Sequence, residues 1–163
     1  DVSNSIIRVM PNTPALVGFG MSVLVSDANL NQLTKDTVTR IFESFGKALW
    51  ITNEENIDAV TAVSGSGPAY FFLLIESLIK TGKRLGLNEQ TCRLLVTQTA
   101  LGAAHMVETS DVEPDILRQQ VTSPGGTTEA ALQVFEEEDF SGLIDRALIA
   151  AKNRANALSH TTS

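Results

Sequence analysis

The sequence predicts a mainly α fold in which the last strands and helix of an α/β layer, residues 1–53, precede an all-helical domain, residues 54–163. Three observations carry this. Short apolar runs bounded by Gly, Pro and Asn fill residues 6–51, with one helical stretch among them. From Asn53 onward the apolar spacing and the punctuation are helical to the end. No Gly-x-Gly-x-x-Gly turn follows a strand, so the layer is expected to be an end without its beginning.

In chain order, Ile6-Ile7-Arg8-Val9-Met10 is a strand stopped by Pro11-Asn12-Thr13-Pro14, and Met21-Ser22-Val23-Leu24-Val25 is a second after Gly18-Phe19-Gly20. Leu30, Leu33, Val38, Ile41, Phe42 and Phe45 then share a helical face, with Asp27 or Asn29 as cap and Gly46 as stop. Lys47-Ala48-Leu49-Trp50-Ile51 reads as a third strand, with Trp50 in a packing role. Asn53 opens a helix with Glu54, Glu55 and Asp58 near its positive end. Gly65-Ser66-Gly67-Pro68 breaks it, and Pro68 suits the first turn of the next, Ala69 toward Gly82 and Gly86, which is apolar on nearly every side and must be enclosed.

Asn88 caps a further helix with one stripe of Cys92, Leu95, Val96, Ala103, Met106 and Val107 and another of Leu94 and Leu101. This exceeds what a few helices cover alone, so a homodimer with a shared core is expected. Glu136-Glu137-Glu138-Asp139 is a solvated connection. Asp139 caps a last helix, whose Phe140, Leu143, Ile144, Ala147, Leu148, Ala151, Ala155 and Leu158 pack on one side with Arg146, Lys152 and Arg154 outside. His160 to Ser163 are expected to fray.

Composition narrows the function classes. A formal net charge of -7 over 163 residues, with no visible Lys/Arg patch, argues against a nucleic-acid partner. No uninterrupted apolar run nears the ~20 residues of a membrane span, so no membrane partner is expected. The single Cys92 fits a buried, inert thiol, and with no signal peptide before the first strand a cytoplasmic location is expected. His105 and His160 stand apart from other ligand types, so no metal is expected.

The stretch with chemical promise is Val121-Thr122-Ser123-Pro124-Gly125-Gly126-Thr127-Thr128, directly before a helical run from Glu129. A helix start offers unpaired N–H groups and partial positive charge to a carboxylate or phosphate, and glycines let the ligand come close. Thr127 and Thr128 serve either as caps or as hydroxyl donors to a ligand. With Ser64-Gly65-Ser66-Gly67-Pro68-Ala69-Tyr70 and Met10-Pro11-Asn12-Thr13-Pro14, this loop resembles the carboxyl-terminal two-thirds of pyrroline-5-carboxylate reductase, from about Ile6 to Leu158.

The resemblance implies a helical dimerisation domain preceded by the end of a Rossmann-like domain. It implies reduction of 1-pyrroline-5-carboxylate to L-proline with NADPH or NADH, in a homodimer that in this family can close into a ring of five dimers. The principal cofactor domain is expected to lie outside this chain, so the chain by itself is expected to hold no cofactor and to be inactive. Thr128 becomes the catalytic residue, hydrogen-bonding the ring nitrogen. Val121, Ser123, Gly125, Gly126, Thr127 and Thr128 become the substrate loop, Glu54 an acid near the substrate or a first-turn carboxylate, and Pro11, Asn12 and Gln120 cofactor contacts, Asn12 alternatively closing a turn. Glu113-Pro114 stands where the family often has His-Pro, and Gln120 where it has Asp or Asn. The Ser64–Tyr70 motif reads as structural, with a Tyr70 hydroxyl that needs a partner if buried.

Two alternatives remain at this point: the helical domain of another two-domain dehydrogenase, and a purely structural dimerisation module. The first would use Lys-x-x-x-Asn soon after a Gly-x-Gly segment. Here Lys152-x-x-x-Asn156 falls on the last helix instead.

Overall fold

The small sheet is organised around its middle strand. In the computed structural model, which describes residues 5–26 and 29–161, β1 (Arg8–Met10), β2 (Gly20–Val25) and β3 (Gly46–Trp50) lie side by side in that order. β1 runs antiparallel to β2, whereas β3 runs parallel to it after a crossover through α1 (Gln32–Glu43). Ser22 to Val25 are buried, with Leu24 fully enclosed. Burying such a side chain contributes roughly 2 kcal/mol, which makes β2 the strand that holds this layer.

Several expected helix ends fall elsewhere. α1 is capped by Asn31, whose Oδ1 accepts the Thr34 N–H at 2.8 Å, rather than by Asn29; Asp27 lies outside the described residues. Gly46 does not stop α1, which ends at Ser44, but opens β3 with φ 145°. The reason is steric: a Cβ on Gly46 would run into the backbone of Gly20 in the paired strand. Trp50 packs as expected, its Nε1 donating to Thr39 Oγ1 at 2.8 Å and so tying β3 to α1. The apolar face of α1 is only partly used, because Leu33 and Ile41 are exposed.

The helix expected from Asn53 is assembled from three tighter and looser turns. A 3₁₀ turn, Glu54–Asn56, is capped by Asn53; α2 (Ile57–Val60) follows, then a π turn, Thr61–Gly65. α3 (Gly67–Arg84) starts directly after Ser66, with Pro68 in its first turn as expected. α4 (Glu89–Thr109) carries the expected Asn88 cap, which accepts the Thr91 N–H at 2.9 Å and contributes about 1 kcal/mol. α5 (Pro114–Gln120), α6 (Thr127–Glu137) and α7 (Phe140–Thr161) complete the chain. Asp139 caps α7 through the Gly142 N–H at 3.2 Å. His160 and Thr161 continue α7 rather than fraying, and Thr162 and Ser163 lie outside the described residues.

The chain divides into two units, one comprising residues 1–70 and 145–163, the other residues 71–144. The first holds the sheet, α1, α2 and the end of α7. The second holds most of α3, then α4, α5, α6 and the start of α7. Its apolar surface is the notable feature. Phe71, Phe72, Leu73, Leu94, Leu95 and Leu101 are all more than half exposed, so among the described residues the enclosure expected around α3 and α4 is not supplied. On α7 only Leu148, Ala151 and Ala155 of the expected stripe are half-buried. Cys92 is the exception: it is buried against Gly82, where an added Cβ would stand 2.9 Å from its sulfur.

The helical stretch Glu54–Arg84, 31 residues, is long and apolar enough to cross a membrane by length and composition. Glu76 interrupts its longest apolar run, and residues 59–79 carry no other charged side chain.

Candidate active site

The 120–128 loop is shaped by its own turn chemistry. α5 ends at Gln120, and Thr122 turns the chain back, its hydroxyl donating to the Arg118 carbonyl at 2.6 Å. The Ser123 carbonyl then accepts the Gly126 N–H at 3.0 Å, with Pro124 and a Gly125 of φ 71° between them. This is the signature of a type II turn, where proline presets the first central residue and glycine supplies the positive φ of the second. Gly126 has no room for a side chain, since a Cβ would stand 2.6 Å from Ser123 Oγ and 2.9 Å from its carbonyl oxygen.

Gly126 is also the N-cap of α6, which corrects the expectation that Thr127 or Thr128 caps it; among the described residues no side chain caps this helix end. The first ladder bond runs from the Ala130 N–H to the Gly126 carbonyl, 3.2 Å. The N–H groups of Thr127, Thr128 and Glu129 therefore precede the ladder and point out of the helix end. The Gly126 N–H, by contrast, is engaged in the turn. Thr128 is half-buried, whereas Val121, Ser123 and Thr127 are exposed.

A residue the sequence reading passed over completes the loop. Glu129 reaches back so that its Oε2 accepts the Gly125 N–H at 2.7 Å. The bond goes to the residue before the N-cap, and a glycine stands where a capping box needs Ser or Thr, so the sequence carried no capping-box signal for it.

Of the other expected site residues, Glu54, Pro11 and Asn12 belong to the first unit and Gln120 to the second. Glu54 pairs with Arg8, Oε1 to Nη1 at 2.7 Å, both side chains being nearly half exposed. Pro11 is exposed. Asn12 is half-buried and its amide is committed within the protein. Oδ1 accepts the Met21 N–H at 2.9 Å, and Nδ2 donates to both the carbonyl and the hydroxyl of Ser64, each at 3.3 Å. Gln120, in the second unit, is exposed at the end of α5. Tyr70 has the partner its hydroxyl was expected to need, the Ala62 carbonyl at 3.1 Å.

A groove of about 650 Å³ lies elsewhere on the second unit, floored by Ile75 and Ile79 and rimmed by Lys83, Arg84 and Arg93. None of the expected site residues lines it. On its rim the Lys83 ammonium donates to Glu89 at 2.6 Å; this hydrogen bond holds the lysine above its ordinary pKa and the glutamate below its own.

Residues 54–158 match the family described as pyrroline-5-carboxylate reductase dimerisation. The chain belongs to that family. Among curated relatives, the pyrroline-5-carboxylate reductase of Pseudomonas aeruginosa is 48% identical over 94% of this chain and 56% of its own length. That of Pisum sativum is 42% identical over 94% and 56%. Among solved structures, a pyrroline-5-carboxylate reductase from Coxiella burnetii superposes with a TM-score of 0.92 at 41% identity, covering 96% of this chain and 58% of that one. The Plasmodium falciparum pyrroline carboxylate reductase with NADP bound gives 0.88 at 40% identity, covering 96% and 59%. The chain thus spans little more than half the length of the family members it matches. Membership in the family removes the rival dehydrogenase reading. Asn156 of the rival's Lys-x-x-x-Asn pattern instead donates to Asp58 Oδ2 at 3.1 Å.

Proposed function

We propose that this chain is the dimerisation and substrate-binding portion of an NAD(P)H-dependent pyrroline-5-carboxylate reductase, which forms L-proline. The observation that carries this reading is the loop Ser123–Thr128, a glycine-shaped turn feeding the open N–H groups of α6, in a chain 48% identical to a reductase of that name. The substrate has a carboxylate beside a C=N bond, and the loop offers a partner for each. Ser123 Oγ and the N–H groups of Thr127 and Thr128 hold the carboxylate at the positive end of α6. The half-buried Thr128 hydroxyl hydrogen-bonds the ring nitrogen and holds a proton there. The nicotinamide supplies the hydride when bound.

The residues of this chain that serve the cofactor fit its edge only. Pro11 and Gln120 are exposed and able to lie against it, whereas the committed amide of Asn12 fits the closing of a turn better than direct contact. Glu54, paired with Arg8, supports the substrate side as an acid of fixed position. Polarisation and alignment are the protein's share of the reaction.

A second copy of the chain covers the exposed apolar faces of α3, α4 and α7, making the working unit a homodimer. A ring of five dimers is the further assembly step this reading includes. This placement puts the apolar stretch Glu54–Arg84 against protein rather than lipid. The test is an assay of the native-length protein with pyrroline-5-carboxylate and NAD(P)H, run beside sedimentation. The expected result is substrate-dependent cofactor oxidation with proline as product, by a species no smaller than a dimer. A monomer without turnover would overturn the reading.

A further inference from the structure

The Ser64–Tyr70 motif takes no part in the chemistry above, yet it is tied to the turn that the proposed function places at the nicotinamide edge. One carbonyl in it, that of Ser64, and one just before it, that of Ala62, have lost their helical donors. Pro68 has no N–H to give to the Ser64 carbonyl four residues before it. In the π turn the Ser66 N–H goes to the Thr61 carbonyl, 2.8 Å, so the Ala62 carbonyl also lacks its usual partner. A side chain serves each of them. The Tyr70 hydroxyl donates to the Ala62 carbonyl, and Asn12 Nδ2 donates to the Ser64 carbonyl and to Ser64 Oγ.

The second of these joins positions 52 residues apart in the sequence. Because Asn12 Oδ1 simultaneously takes the Met21 N–H, the amide clamps the turn after β1 between the start of β2 and the π turn. Gly65 leaves room for the end of the Met10 side chain, whose terminal methyl stands where a Cβ would be. Isolated π turns recur at functional positions, and here the turn presents both Ser64 acceptors to a single amide.

We propose that Ser64 is a positioning residue for the cofactor-facing turn Pro11–Asn12, acting through the Asn12 amide. The proposal rests on the functional reading, which sets that turn beside the nicotinamide. Ser64 touches neither substrate nor cofactor. Its hydroxyl and carbonyl fix the rotation of the Asn12 amide, and with it the path of the backbone at Pro11.

The test compares wild type, Ser64→Ala, Ser64→Thr, Asn12→Ala and the double variant in the native-length protein, reading the KM for NAD(P)H and the KM for pyrroline-5-carboxylate separately. Ser64→Ala is expected to raise the cofactor KM about threefold to tenfold, the scale of one hydrogen bond, with the pyrroline KM within about twofold. Ser64→Thr, which keeps the hydroxyl, restores the wild-type value, and the double variant is no worse than Asn12→Ala because both act through one amide. An unchanged cofactor KM in an active Ser64→Ala enzyme overturns the proposal, as do additive effects in the double variant or parallel rises in both KM values that Ser64→Thr does not relieve. A wild type without turnover overturns the functional reading itself, and the positioning role with it.

Discussion

Thr128→Ala is expected to lower turnover of the native-length protein about a hundredfold or more while leaving its stability unchanged. The size follows from removing one preorganised donor at an atom whose charge changes during reaction. The unchanged stability follows from the fold. Thr128 is in the first turn of α6 and caps nothing, and alanine is the better helix former. Thr128→Ser keeps a hydroxyl in the same place and should remain within about tenfold of wild type. Steady-state kinetics with thermal melts of all three proteins checks this. A Thr128→Ala enzyme with wild-type turnover would remove the residue from the chemistry.

Gly46→Ala should leave no folded protein. Gly46 sits at φ 145°, a conformation L-residues rarely adopt, and its missing Cβ lies where the backbone of Gly20 passes in the neighbouring strand. Backbone on both sides leaves nothing to yield. The Gly20–Gly46 pairing also sets the register that places Val23 opposite Leu49 and Leu24 opposite Trp50. A cost above about 4 kcal/mol is expected, a large part of a typical domain's stability. Gly86→Ala is the control: φ is 98° there, but no atom beyond its chain neighbours lies within 4 Å of the new methyl, so the loss should stay at about 1 kcal/mol. Urea denaturation of the two variants separates the cases, and a cooperative, wild-type-like transition for Gly46→Ala would contradict the account of the sheet.

Features governed by neighbouring residues were legible in the sequence. The three strands, the Asn88 and Asp139 caps, the start of α3 at Gly67-Pro68 and the turn at Pro124-Gly125 all follow from chemistry within four or five residues. Where two local signals competed, the reading chose the wrong one. Asn29 and Asn31 are equally good caps on paper, and only the direction of the chain after Leu30 decides for Asn31. Gly46 resembles a helix stop, but its glycine is demanded by Gly20, far away in sequence.

The candidate site divides the same way. Its loop was legible because Ser-Pro-Gly-Gly encodes a turn by itself. The commitment of Asn12 to Ser64 was not, since an asparagine after a strand carries no mark of which distant carbonyl it will serve. The apolar stripes of α3 and α4 were legible too, and a shared core was expected from them, but which of their side chains stay exposed was not, since that depends on how distant helices pack.

The most direct measurement is a titration of proline into the native-length protein, followed by NMR at the backbone amides of Ser123 and of Gly125 to Thr128. The account predicts saturable shifts concentrated at Thr127 and Thr128, with smaller ones at Ser123. Shifts confined to other parts of the chain, with this loop silent at saturating proline, would contradict it.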